Sequence, residues 1–219
     1  MGYFPVSLEL AGRPVVVVGG GEVAERRVES LVAAGAAVTV VSPALTSTLA
    51  GMRAVGRIRH VARAYRAGDL EGATLALVAT GDPGVTAAVA AEARASGVWL
   101  NAADDPAYCD VMLPGVVRRG ILTIAVASGG ASPALTRALR EHLEATIGAE
   151  WGALGELAAA ARRELRAAGR APGAVAWRRA LAADVRALLA DGRVEEAREV
   201  LRARLGQDPA GAAPAEPRA

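Results

Sequence analysis

Three groups of residues in this chain have the types and spacing to do chemistry. The first lies in "PVVVVGGGEVAERR", Pro14 to Arg27. Gly19, Gly21 and Ala24 fit a small-x-small-x-x-small pattern placed between a β-branched run and a helical one. Gly19 would let the chain turn sharply off a strand. Gly21, without a side chain, would let a pyrophosphate approach the backbone, and Ala24 would let the helix pack close to the sheet. The free N–H groups at the helix start would then face the phosphates. The pattern alone is also met in plain glycine-rich turns. A second strand, ending in "VVSPAL", should carry an acid for the ribose hydroxyls or an arginine for a 2′-phosphate. Val41, Ser42, Pro43 and Ala44 stand there instead, so this motif does not choose between NAD and NADP.

The second group is "NAADDP", Asn101 to Pro106, at the expected end of a fifth strand. In an open parallel sheet that edge is where a ligand meets a cofactor. Adjacent carboxylates raise one another's pKa, which suits a general base. Asp104 is the candidate, whereas Asp105 reads better as the start of an Asp-Pro turn. The third group is "ASGGASP", Ala127 to Pro133, which supplies hydroxyls, flexible backbone and a helix start in seven residues. Such a segment can hold an anion. Arg118, Arg119, Arg137 and Arg140 flank it in sequence, and arginines grip carboxylates bidentately. Ser128 is a candidate ligand contact. His60 and His142 are the only histidines and Cys109 the only cysteine; the spacing of His142, Cys109 and Asp110 gives no reason to expect a metal site. Cys109 reads as a small, partly buried residue.

The elements that must position these groups follow from the hydrophobic pattern. "RPVVVVGG", "AAVTVVSP", a weaker "RIRHV", "ATLALVATG" and "VWLNAADD" read as five strands. Helical spacing of Ala24, Val28, Leu31 and Val32, and of Val85, Val89 and Ala93, separates the first strand from the second and the fourth from the fifth. Alternation of this kind implies a parallel sheet with both faces covered. "GILTIAVASGG" reads as a further strand, and "SPALTRALREHLEATIG" as a helix capped by Ser132 with Pro133 first. From 150 onward the pattern is helix and loop, with Trp151 and Trp177 expected to pack there. Val194, Ala197 and Leu201 should form one stripe of the last helix, with Glu195–Arg198 and Glu199–Arg202 as solvent-side pairs. The segment 207–219 is rich in Pro, Ala and Gly and reads as a disordered tail.

Of the 219 residues, 53% are hydrophobic and only 3% aromatic, so Val, Leu and Ala must build the core. The 25 basic residues are all arginine and the formal net charge is only +2, so the pI near 9.2 reflects high-pKa side chains rather than a charge excess. With no dense basic run, no nucleic-acid partner is expected. No run approaches the roughly 18–20 apolar residues of a membrane span. No secretory signal is read at the start, and one cysteine allows no internal disulfide, so a cytoplasmic protein is the expectation.

Taken together, "YFPVSLELAGRPVVVVGGGEVAERRV", "AGAAVTVVSP", "LALVATGD", "NAADDPAYCDVMLP" and "GILTIAVASGGASPALTRALREHLE" resemble the precorrin-2 dehydrogenase family, the NAD-dependent part of siroheme synthases. The likeness runs through nearly all of residues 3–144. It implies an α/β fold: a Rossmann-type NAD-binding domain over 1–113, a dimerisation and substrate region over 114–149, and a small helical domain over 150–206. It implies NAD-dependent oxidation of precorrin-2 to sirohydrochlorin by a homodimer, with ferrous iron insertion as a second activity of some members. The family's carboxylate falls on Asp104, which would take the proton as hydride leaves. Its cofactor contacts fall on Gly21, Glu22, Val23, Pro43 and Ala44, with Gly19 in the turn. Ser128, Gly129, Arg118 and Arg137 are the candidates for holding a tetrapyrrole that bears eight carboxylates. Gly81, Gly115 and Thr86 depart from the family's usual residues. A methyltransferase half would need far more residues, so methylation is not expected. The reading from a different class is a dinucleotide-sensing module without turnover, which would need the glycine turn but neither Asp104 nor an anion site.

Overall fold

The computed structural model describes residues 3–103 and 105–206. Asp104 and the segment 207–219 lie outside the described residues, and with them two of the expectations above.

Four β-branched residues in a row cannot alternate core and solvent, so they belong to a strand covered on both sides. β1 (Pro14–Val18) is that strand. Val15 and Val17 enter one hydrophobic cluster, while Val16 and Val18 enter another on the opposite face. β2 (Ala37–Val41), β3 (Arg59–Val61), β4 (Leu75–Val78) and β5 (Trp99–Ala102) complete a parallel sheet in the order β3-β2-β1-β4-β5. β4 divides its side chains in the same way, Leu75 and Leu77 to the first cluster and Ala76 and Val78 to the second.

Helices cover both faces. α1 (Glu22–Ala33) buries Ala24, Val28 and Leu31 against the first cluster, and α2 (Ser47–Ala54) adds Leu49. α3 (Pro83–Ser96) buries Val89, Ala90 and Ala93 against the second. Its start is fixed by Asp82, whose carboxylate accepts from the N–H groups of Gly84 and Val85 at 2.8 and 3.2 Å. Its end is fixed by Gly97 at φ +68°. Because β1 pairs with β2 on one side and β4 on the other, a crevice opens beyond the carboxyl ends of these strands. The sequence pattern contains no stripe that would reveal α2, which buries a single residue.

The chain packs into two units. The first holds the residues up to Leu113 together with Gly129–Ala131; the second holds Pro114–Ser128 and the residues from Ser132 onward. In the second, β6 (Gly115–Arg119) pairs antiparallel with β7 (Leu122–Val126), so the single strand expected here is half of a hairpin. α4 (Pro133–Thr146) starts as expected, with Ser132 accepting from Leu135 N at 3.2 Å and Pro133 in the first turn.

α5 (Ala149–Ala167), α6 (Ala174–Ala180), α7 (Ala183–Ala190) and α8 (Val194–Gly206) share a third cluster. Trp151 and Trp177 pack at its margin, and the Arg186 guanidinium lies 4.5 Å from the Trp151 ring centroid. Two expectations for α8 need correction. Its buried stripe is Ala197, Leu201 and Leu205, with Val194 at the exposed first position. Glu195 and Arg198 do pair, at 2.7 Å, but Arg202 meets Glu164 of α5 through two hydrogen bonds of 2.7 and 3.1 Å rather than Glu199. A bidentate contact to a carboxylate is stronger than a single one along the helix.

Candidate active site

The glycine turn is shaped by what surrounds each glycine. Gly19 has φ +123°, and a Cβ there would run into the carbonyl of Ala79 beyond β4. Gly20 faces the other way: a Cβ would collide with the carbonyl of Ala44 and with the Ser42 side chain. Gly21 has nothing within 4 Å of its Cβ position. It caps α1 with no side chain bonded to the first N–H groups, and Val23 is exposed beside it. A turn so closed on two sides and open on the third fits a dinucleotide. The residues that would hold one are the backbone of Gly21, Glu22 and Val23 against the phosphates, and Pro43 and Ala44 against the ribose.

The loop after β2 is pinned to this turn. Thr46 N donates to Gly20 O at 3.0 Å, and the Thr46 hydroxyl donates to Glu25 of α1 while capping α2 at Leu49 N. The Ser42 hydroxyl turns back on Ala44, whose N–H it accepts at 3.2 Å. His60 on β3 closes the arrangement, with Nε2 at 2.9 Å from Ser42 O and Nδ1 buried without a partner among the described residues. A carbonyl only accepts, so the ring proton sits on Nε2. Ser42, Thr46, Glu25 and His60 were not read as site residues from sequence. A run of Ser and Thr after the strand was the one visible signal.

Next to the turn, at the ends of β4 and β5, lies a cleft of about 310 Å³. Thr80, Gly81, Thr86, Ala103, Asp105 and Tyr108 line it. Gly81 has open space at its Cβ position, and the Thr86 hydroxyl is spent on Asp82 O at 3.1 Å. Asp105 takes the turn role expected of it: its carboxylate accepts from Ala107 N at 3.1 Å and starts the 3-10 turn Pro106–Tyr108. Ala103 and Asp105, the sequence neighbours of Asp104, both line the cleft.

The strand end that carries them is anchored from behind. Cys109 Sγ accepts from Ala102 N at 3.2 Å, and Asn101 Nδ2 donates to Val111 O at 2.9 Å. The Asp110 carboxylate accepts from Leu100 N at 3.1 Å. Burial pushes the Cys109 thiol above its ordinary range, so it stays a neutral tether within reach of the carbonyls of Ala102 and Asp105.

In the second unit, Ser128 is the hub of the α4 start. Its hydroxyl donates to Ser132 O at 3.1 Å, accepts from Ser132 N at 3.1 Å, and lies 3.1 Å from Thr136 Oγ1. Arg119 is committed to the carbonyls of Ile147 and Glu144 at 2.7 and 2.6 Å, and Arg140 to Glu144 at 2.5 Å. Arg118 and Arg137 are exposed and hold no ion pair among the described residues. Gly129, at φ +62°, has open space around it in the first unit. Among the described residues, no group of three or more His, Cys, Asp or Glu is placed to hold a metal ion.

Comparisons with known proteins agree with this layout. Residues 6–115 match the family described as "Putative NAD(P)-binding", and residues 119–146 the family described as "Sirohaem biosynthesis protein central". The siroheme synthase of Methylococcus capsulatus is 40% identical over 203 residues, covering 92% of this chain and 43% of that protein. That of Azotobacter vinelandii is 38% identical over 218 residues, covering 98% and 46%. The chain thus spans less than half the length of these curated relatives. Among solved structures, SirC, a precorrin-2 dehydrogenase, superposes with a TM-score of 0.66 at 25% identity, over 94% of this chain and 98% of that one. With residues 6–115 matched, the chain belongs to the family described as "Putative NAD(P)-binding", and it is similar to siroheme synthases in sequence and to the precorrin-2 dehydrogenase SirC in fold.

Proposed function

We propose that this chain oxidises precorrin-2 to sirohydrochlorin with NAD, in siroheme biosynthesis. The observation that carries the reading is the likeness to SirC, a dehydrogenase matched over 98% of its length, in a chain whose glycine cradle adjoins a cleft. Bound NAD supplies a hydride acceptor. The substrate gives up a hydride and a proton, and Asp104 takes the proton. Gly19, Gly21, Glu22 and Val23 hold the cofactor's phosphates, and Pro43 and Ala44 its ribose. Arg118, Arg137, Ser128 and Gly129 hold the substrate. Ferrous iron, where it is inserted, is a second substrate that draws on the same carboxylate.

The working form is a homodimer in the cytoplasm. No helix among the described residues is long and apolar enough to cross a membrane, which fits that setting.

The test is anaerobic conversion of precorrin-2, followed by absorbance with and without NAD and then with ferrous iron. Oxidation only with NAD is expected. Asp104→Ala should lower turnover by about a hundredfold or more, the scale of a general base, while NAD affinity measured by titration calorimetry stays within about twofold of wild type, since no phosphate contact is lost. Unchanged turnover would remove Asp104 from the mechanism. NAD binding without any oxidation in the wild type would favour the sensing module.

A further inference from the structure

The second unit contains a groove that this chemistry does not use. It lies among the β6–β7 turn, α5 and the α5–α6 connection, with a volume of about 670 Å³. That is within the roughly 300–1,000 Å³ typical of small-molecule sites. Ile121, Trp177 and Leu181 give it an apolar wall, and Ile121 is 57% exposed. Arg162, Arg166 and Arg170 line it, and among the described residues no Asp or Glu does.

Some arginines of this unit are matched by carboxylates, Arg193 with Glu196, Arg198 with Glu195, Arg202 with Glu164 and Arg204 with Asp184, all within 2.7 Å, and others, Arg118 and Arg137 among them, are not. The groove is set apart by gathering three arginines along one apolar concavity. Arg162 and Arg166 stand one turn apart on α5, exposed, with no ion pair or hydrogen bond among the described residues. Arg170 donates to the backbone carbonyls of Leu205 and Gly206 at 3.2 and 3.3 Å and has no ion pair with a carboxylate among the described residues. Like charges gathered on a concave apolar wall repel one another and favour an anion between them. Guanidinium groups prefer carboxylates held bidentately, and their planes and the Trp177 ring prefer a flat apolar body.

We infer that this groove is a second, non-catalytic binding site for a polycarboxylate tetrapyrrole, which lays its macrocycle on Ile121, Trp177 and Leu181 and its carboxylates on Arg162, Arg166 and Arg170. The identity of the ligand rests on the function proposed above; the preference for a flat polyanion rests on the groove itself.

The probe is uroporphyrin III, an already oxidised macrocycle with eight carboxylates, added to the full chain and read by hydrogen–deuterium exchange. Peptides covering residues 155–181 should gain protection. Arg162→Glu combined with Arg166→Glu should abolish that protection and weaken binding there by about tenfold or more, as expected for losing two charge-assisted contacts. The milder pair Arg162→Gln and Arg166→Gln should do the same in part, and guards against misfolding of the first. NAD-dependent oxidation of precorrin-2 should keep its kcat in both. No protection of 155–181 at saturating uroporphyrin III would overturn the site. So would protection that is present without the probe and disappears on dilution, which marks a second copy, or on removal of residues 207–219, which marks the chain's own end. Absence of precorrin-2 oxidation in the wild type, with probe protection intact, would sink the dehydrogenase reading and leave the polyanion site standing.

Discussion

Gly20 holds the nucleotide turn and the post-β2 loop together, although a fingerprint reading assigns it no task. Its Cβ position is taken by the Ala44 carbonyl and the Ser42 side chain, and its own carbonyl accepts from Thr46. Gly20→Ala must therefore push the 42–46 loop outward, taking Pro43 and Ala44 with it. Overpacking of this kind costs about 1–3 kcal/mol, and here the loss should appear in cofactor affinity. Titration of the variant with NAD should show binding weakened by about tenfold or more, equivalent to at least about 1.4 kcal/mol, with the fold retained by circular dichroism. Wild-type affinity would show that the loop yields without cost. Gly19 and Gly21 were legible in the sequence because their tasks, a turn and an open approach, are local. Gly20 was not, because its neighbours lie more than twenty residues away. Asp105 was legible for the same local reason: an Asp-Pro pair starts a turn whatever surrounds it. The anchoring of β5 by Cys109 and Asp110 needed the fold.

At the scale of elements, α4 and the β6–β7 hairpin stand out for what they fail to bury. No residue of α4 is buried, and Leu135 and Leu139, one turn apart, are 61% and 43% exposed. Within the hairpin only Val117 is buried. A two-stranded hairpin is marginal in water unless a helix packs on it, and exposed apolar stripes mark contact surfaces. The proposed homodimer would cover this stripe. Leu135→Arg together with Leu139→Arg should shift the chain from dimer to monomer in sedimentation velocity at micromolar concentration. A variant that sediments like the wild type would place the dimer contact elsewhere, and a monomeric wild type would remove the dimer. The sequence showed the start of α4, since Ser132-Pro133 is a local signal. It hid β6, because "GVVRRG" is short, with two arginines and a glycine at each end, and hid α2, because "STLAGMRA" buries one side chain and leaves no stripe.

For the whole molecule, the decisive fact is that the clusters flanking the sheet and the cluster of α5–α8 share no residue and belong to different units. The sheet was readable because consecutive valines admit only a strand covered on both faces. The helical unit was readable only in kind: its core uses Ala161, Ala176, Ala180 and Ala197 beside Leu and Val, and alanine marks core and surface alike. Its ion pairs across helices, Glu164–Arg202 and Asp184–Arg204, join residues 38 and 20 apart in sequence and follow from no periodicity. Leu201 is fully buried at the centre of this cluster. Leu201→Ala should destabilise the helical unit by about 2–5 kcal/mol, the transfer and cavity cost of such a truncation. The residues proposed to hold NAD all lie in the first unit, so cofactor affinity should not change. NAD at a hundredfold excess over its Kd adds about 2.7 kcal/mol to whatever unfolds with its site. Calorimetric melting of wild type and variant, each with and without NAD, checks both statements at once. The variant should lower one transition and NAD should raise the other; a single transition moved by both would mean that the two units unfold as one.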